Sequence, residues 1–462
     1  MALTANTVWE VRTAGSDTNG GAFDATIANH GTDYSQQDAA NTVGNNISTT
    51  DAVAAGTTTI TSATASFTSA IIGNVIYLAG GTGSLAATRV QVTAFTNSTT
   101  VTVDATVAAG TGITMNIGGA LLSPAIAAAF RVVGNTVWIK AGTYSVTTAS
   151  TNVAGGCVSD ATGGAVVTWE GYNSTRGDLG TAPILQAGNA ISTFTVFAVT
   201  SGSTAGSIIR NITVDGAGLT GSQGFSLQRR GTYYQLTAKN CKNIGINATG
   251  NNVLVKCVAT NVTGGAEAIL CSQAYFCEAY SNTVPGFATS ATGAVFWGCL
   301  SYGNSGGTSD GFQLGSSENS LIGCVAYNNG RDGFRWGSGE SNLAINCIAE
   351  GTNAASTTGF NATSAAIGAG VTRINCAAYN NATNVSANIT GPAIGNVTGT
   401  TTFFVNAGSN NFALNSTSTG GGLLRALGIP GAFPAASSTG YIDIGAVQSP
   451  PMAPLSRAFT GF

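Results

Sequence analysis

The chain has 462 residues, with 64 Gly, 16 Lys and Arg, 19 Asp and Glu, one His and a formal net charge of −3. Charged residues make up 8%, against roughly 25% in ordinary soluble domains, which excludes a basic nucleic-acid footprint and an acidic tail. The 43% apolar content is too high for a disordered chain, and no stretch approaches the ~20 apolar residues of a membrane span.

In chain order, residues 1–50 open on Met1-Ala-Leu-Thr-Ala-Asn-Thr7, which lacks the charged and apolar regions of a Sec-type signal. Trp9-Glu-Val-Arg12 reads as a short strand, followed by the turn-rich Gly15-Ser-Asp-Thr-Asn-Gly-Gly21. Residues 51–118 alternate apolar and polar positions in Thr57–Ile60, Val75–Leu78, Thr88–Val92, Thr100–Val103 and Ile113–Ile117. Gly-rich turns separate these runs, so a small antiparallel barrel or sandwich is expected, inserted near the N-terminus. Residues 122–133 are the best helix candidate, with Ser123 as cap and Pro124 at the first helical position.

From residue 119 to 400 the chain repeats. Cys241, Cys257, Cys277, Cys299, Cys324, Cys347 and Cys376 fall 16, 20, 22, 25, 23 and 29 residues apart, a regularity that marks a repeat architecture. Each Cys sits in a short apolar run, as in Val295-Phe-Trp-Gly-Cys-Leu-Ser-Tyr-Gly-Asn304, and Asn often follows. A second landmark recurs in Gly286-Phe287, Gly311-Phe312, Gly333-Phe334 and Gly359-Phe360. The runs are rich in β-branched and aromatic residues and broken by Gly and Asn, so they read as strands. About 22 residues suits one coil of three short strands, each pairing in parallel with the coils above and below at ~4.8 Å. Cys257, Cys277, Cys299, Cys324, Cys347 and Cys376 then form an inward packing ladder, because Cys is small, apolar and usually buried. Phe after Gly forms a second inner ladder, and Asn a turn ladder. An odd count of nine Cys without C-x-x-C argues for packing over disulfide or metal chemistry.

These motifs resemble the right-handed parallel β-helix (pectate-lyase-like) family over roughly residues 119–448. The N-terminal strand and Gly/Asn turn look like the cap of such a solenoid. Asn135-Thr-Val-Trp-Ile-Lys-Ala-Gly-Thr-Tyr144 is similar to a first coil, and Gly440-Tyr-Ile-Asp-Ile-Gly-Ala-Val-Gln448 to a closing strand. Residues 401–448 are thus expected as closing coils, and 449–462 as a Pro-rich tail. The opening and closing motifs look like those of phage-encoded and environmental β-helix proteins.

Candidate chemistry is sparse. The lone His30 leaves no multi-His metal site, no metal or other cofactor is expected, and the Gly-rich runs lack a phosphate-loop Lys-Ser/Thr. Glycoside hydrolysis needs two carboxylates about 5–9 Å apart. Asp310 and Asp332, both in Asp-Gly-Phe and 22 residues apart, should lie on adjacent coils, with Arg331 and Arg335 nearby and Glu318 and Glu340 on the next turns. The plain alternative is good turn chemistry repeated by the repeat. No clustered acids resemble the calcium site of polysaccharide lyases. Tyr280, Tyr302, Tyr327 and Tyr379 share the position three after each Cys, and strand alternation points them outward. They form either a carbohydrate-stacking surface or a set of rings tucked against neighbouring coils.

Three roles are open. The expected one is a non-catalytic virion surface protein, a phage fibre or spike component that displays a shaft for host-surface glycan recognition. Its partners would be other virion proteins and cell-surface polysaccharide, with the chain a homo-oligomer such as a trimer and no nucleic acid or membrane span involved. The second is a tailspike-like depolymerase, a glycoside hydrolase using Asp310 and Asp332. The third is a bacterial cell-surface or extracellular β-helix protein.

Overall fold

A computed structural model of the chain describes residues 3–38, 47–146, 166–188, 194–199, 207–227, 230–289, 291–351, 357–425, 427–429 and 443–447. Two compact units divide it, one of residues 1–189 and 195–214, the other of residues 190–194 and 215–462. The expected tail at 449–462 lies outside the described residues.

In the first unit, Val8–Val11 pairs antiparallel with Ala22–Phe23 and parallel with Thr136–Lys140. Thr136–Lys140 continues in parallel to Val167–Tyr172 and on to Ser207–Arg210. Glu10 is fully buried in this stack and held by Arg12, Arg176 and the Tyr172 hydroxyl. The inserted module is a closed antiparallel barrel of Ser48–Ala54, Thr59–Thr61, Val75–Gly80, Leu85–Asn97, Thr100–Val103 and Gly110–Ile117. Its alternating residues, among them Ile60, Ile76, Leu78, Val101, Ile113 and Met115, fill one core. The first strand was not foreseen, because Ser48-Thr-Thr-Asp51 carries no apolar residue to show a period of two. Gly20 permits the N-terminal turn to approach this barrel, since a Cβ there would meet the Val75 carbonyl oxygen at 1.9 Å. The helix spans Pro124–Phe130, with the Ser123 hydroxyl accepting from the Ala125 N–H at 3.2 Å. It is shorter than the expected 122–133, because Arg131 already turns to extended backbone.

The second unit is a stack of coils with parallel ladders. One ladder carries Phe287, Phe312, Phe334 and Phe360 in strict register, their rings stacked inside the coils at 5.0 Å. Gly333 precedes one of them because a Cβ would meet the Gly359 carbonyl oxygen of the next coil at 2.7 Å. A second ladder runs through Val295–Trp297, Ser320–Ile322, Asn342–Ile345 and Val371–Ile374. A third runs through Glu278–Tyr280, Leu300–Tyr302, Val325–Tyr327, Ile348–Glu350 and Ala377–Tyr379.

The ladder cysteines sit between the second and third strands of each coil, fully or almost fully buried, with no disulfide among the eight described thiols. Each Cys therefore marks a corner, where the sequence suggested the middle of one strand. The preceding residue takes a left-handed conformation at all six corners: Gly298, Gly323, Asn346 and Asn375 have φ between 49° and 62°, and Lys256 and Phe276 adopt it too, at 54° and 56°. Gly and Asn tolerate that region at little cost. Inside the corner the thiols donate to backbone carbonyls of neighbouring coils, Cys299 to Ala274 and Cys324 to Phe296, both at 3.4 Å. Five residues after Cys277, Cys299 and Cys324, a buried amide ladder links Asn282 to Asn304 and Asn304 to Asn329 at 2.8 Å each. Such ladders satisfy polar groups that burial would otherwise leave costly.

Near the C-terminus, Phe404–Asn406 and Asn411–Leu414 form an antiparallel hairpin. The described part of the expected closing strand, residues 443–447, is a series of bends, with the Ile444 N–H donating to the Leu424 carbonyl at 3.0 Å.

Candidate functional site

Asp310 and Asp332 do lie on adjacent coils, each just before the Gly-Phe that enters the first ladder. The Asp332 N–H donates to the Asp310 carboxylate at 3.2 Å. Asp310 has no exposed surface. Arg331 clamps both of its oxygens, at 2.7 Å from Nε and 2.5 Å from Nη2, and Arg335 stands 3.6 Å away. The bidentate pairing holds the Arg331 guanidinium pKa above its ordinary value. A general acid must offer its proton to substrate, and Asp310 presents no surface at which to do so.

Asp332 is 2% exposed. Its Oδ2 accepts from Asn361 at 2.7 Å and its Oδ1 from the Thr358 N–H at 3.3 Å. Burial pushes its pKa up; the Asn361 hydrogen bond opposes that shift, and the neighbouring Asp310 charge adds to it. Glu318 and Glu340 stand on exposed turns.

Above Asp332 lies an open depression of about 460 Å³, lined by Arg331, Asp332, Arg335, Thr358, Asn361 and Asn388 among others. Strand alternation builds its floor. In each Gly-Phe-x triplet the Phe points inward and the next residue outward. Register therefore sets Gln313, Arg335 and Asn361 side by side on successive coils. These are an amide, a guanidinium and an amide, each partly exposed and ~4.8 Å from the next. The sequence reading named Arg335 and missed Gln313, Asn361 and Asn388. The signal was present in Gly-Phe-Gln, Gly-Phe-Arg and Gly-Phe-Asn, once the outward position is read as a ladder.

The tyrosine ladder is corrected by its surroundings. Tyr280, Tyr302, Tyr327 and Tyr379 leave the third ladder on its outer side, where the C-terminal hairpin and the adjoining Phe403 cover Tyr302, Tyr327 and Tyr379. Tyr302 packs on Phe412 at 4.8 Å, Tyr327 on Phe404 and Phe412, and Tyr379 on Phe403. Tyr280 stacks on Tyr302 at 5.0 Å. The rings form the floor of a second apolar core with Val325, Ile348 and Leu414. A sugar cannot occupy the face that Phe412 already fills. Glu350 replaces Tyr in this ladder and anchors the covering segment, accepting from the Thr402 hydroxyl at 2.6 Å and the Phe403 N–H at 3.0 Å.

Burial also raises the pKa of Glu350, against the Thr402 and Phe403 hydrogen bonds. For Asp332 and Glu350 alike, the folded state binds the proton more tightly than the unfolded one. Stability attributable to these groups is therefore highest below their unfolded pKa values. It falls as pH rises from there through their folded values. The melting temperature of the second unit is expected to rise on mild acidification from neutral pH, and the slope to flatten in the Asp332→Asn, Glu350→Gln double variant. An unchanged slope in that variant would contradict this assignment.

Among the described residues, no group of three or more His, Cys, Asp or Glu could hold a metal ion. No described helix is long and apolar enough to cross a membrane.

Stacked parallel ladders with aligned inner residues define the second unit as a parallel β-helix. No protein-family model and no curated protein matches the chain. Solved structures similar to it include the pectate lyase Pel9A, at 16% identity and a TM-score of 0.37 over 71% of this chain and 91% of that one. The A-module of the Azotobacter vinelandii mannuronan C-5 epimerase AlgE4 is similar at 14% identity and 0.33, over 57% and 87%. ORF18 of Geobacillus virus E2 is similar at 14% and 0.32, over 46% and 49%. At these identities and scores, the likeness says nothing of what this chain binds.

Proposed function

We propose that the chain is a rigid β-helix displayed on a virion surface that binds an extended cell-surface polysaccharide along its flank without cleaving it. The observation that supports the binding part of this reading is the outward row Gln313, Arg335 and Asn361, opening onto the polar depression beside Asp332. Planar amides and a guanidinium, fixed at the coil spacing on strands, present repeated donors and acceptors to a repeating ligand without an ordering cost. The two arginines face two carboxylates, so the site suits a hydroxyl-rich chain better than a dense polyanion. Arg335→Ala should weaken polysaccharide binding about tenfold or more, the loss of a charge-assisted hydrogen bond, with the far-UV circular dichroism spectrum of the folded chain retained and a lower melting temperature, since Arg335 also faces the buried Asp310 and Asp332. Equal binding by the variant would refute the site. Mass spectrometry of density-purified particles tests the virion location. Recovery only from a bacterial envelope or culture medium would move the protein to the cell surface or exterior.

One observation favours a second reading, glycan depolymerisation. Asp332 has the raised pKa that a general acid requires, beside a second carboxylate and an open depression. Under that reading Arg331 must release Asp310, or another group must serve as its partner.

A further inference from the structure

The second ladder of the β-helix carries a largely apolar outward row. It runs in register through Tyr234, Val255, Tyr275, Trp297, Ile322, Ile345, Ile374 and Ile394. The preceding residues, such as Leu254, Ala274, Phe296, Leu321 and Ala344, are fully buried and point inward, so alternation turns this row out. Val255 is buried in place, the next six rungs and Tyr234 keep partial exposure or more, and Ile394 is 59% exposed. No rung is charged. Two residues earlier on each strand, a parallel row of Thr232, Val253, Gln273, Val295, Ser320, Leu343 and Thr372 is uncharged too. An uncharged, aromatic-rich strip is the composition of an interface core.

The row is also ordered along its length. One half is aromatic, with Tyr234, Tyr275 and Trp297, and the other is aliphatic, with Ile322, Ile345, Ile374 and Ile394. We infer that this face is an interface with a second copy of the chain, related by a two-fold axis crossing the row between Trp297 and Ile322. Such an axis reverses one row against the other. Trp297 then meets Ile322, Tyr275 meets Ile345 and Tyr234 meets Ile394, in both directions. A two-fold contact must be self-complementary in this way, and aromatic with β-branched pairs are favourable across β surfaces. A parallel arrangement would instead set like against like. The row is about 34 Å long at the ~4.8 Å coil spacing. With its neighbouring row it offers on the order of 600 Å² per chain, the low end of specific interfaces. The dimer is therefore concentration-dependent.

Sedimentation equilibrium of the full chain tests this. The expected mass rises with concentration to two chains. Ile345→Lys, and independently Ile394→Asp at the most exposed rung, should return it to one chain with the melting temperature unchanged. Under mild oxidation, Tyr234→Cys chains should cross-link to Ile394→Cys chains, and neither to itself. A single-chain mass up to the solubility limit, a three-chain mass or self-linking at Ile394→Cys would overturn the proposal. So would a monomer whose polysaccharide binding is lost in Trp297→Ala.

Discussion

Cys324→Arg is expected to abolish folding of the β-helix unit. The Cys324 thiol is fully buried at a corner, between the Cys299 and Cys347 corners, and donates to the Phe296 carbonyl at 3.4 Å. A guanidinium there finds no carboxylate in the ladder and has no route to water. The cost of an unpaired buried charge is several kcal/mol even after relaxation. Overpacking at a close-packed corner adds roughly 1–3 kcal/mol. Together these rival the whole stability of a domain, about 5–15 kcal/mol. Because each coil contacts only its neighbours, the damage should spread through several coils on either side. The measurement is thermal unfolding followed by far-UV circular dichroism. Cys324→Ala serves as the control, expected to lose only about 1–2 kcal/mol for a small buried side chain. An arginine variant that melts like wild type would show that the thiols do not face the interior.

Phe412→Ala should produce the second largest effect, and of a different kind. Phe412 is 3% exposed. It packs on Tyr302 and Tyr327 of the solenoid and on Phe404 across the hairpin, at 4.8, 5.7 and 5.3 Å. Truncating a buried Phe costs about 3–5 kcal/mol. Here the loss falls on the hairpin rather than the ladders, since the Phe and Cys stacks do not depend on it. The hairpin should detach while the coils persist. Hydrogen exchange should speed up across residues 403–414 and around Tyr302 and Tyr327, with protection retained at Phe312 and Phe334. Tyr302 would then become solvent-accessible to iodination. Uniform loss of protection would mean that the hairpin and coils form one cooperative unit.

Much of this architecture was legible in the residues, and the reasons are specific. Regular Cys spacing and the Gly-Phe landmark report inward ladders directly, because each coil must place a residue of the same size at the same point. The inserted barrel was legible where apolar residues alternate, as in Thr100–Val103, and illegible at Ser48–Ala54, where they do not. The corners were hidden because Gly-Cys and Asn-Cys sit within apolar runs, and only backbone torsion separates one strand from two. The choice between an open tyrosine surface and tucked rings rests on longer-range information. The outward direction of the rings follows from alternation, but Phe403, Phe404 and Phe412 cover Tyr302, Tyr327 and Tyr379 from up to about a hundred residues away, and no local pattern announces that. Asp310 and Asp332 were placed on neighbouring coils by their spacing. The clamp of Arg331 on Asp310 depended on which way a long side chain folds back, which spacing does not encode.

The most direct measurement pairs binding with product release on one sample. The full chain would be incubated with purified bacterial cell-surface polysaccharide. Retention would be read by sedimentation of the complex, and cleavage by new reducing ends over time. The account predicts retention that falls in Arg335→Ala and no release of reducing ends by either protein. Release of reducing ends by the wild type, lost in Asp332→Asn with the melting temperature preserved, would contradict it and make the depression an active site.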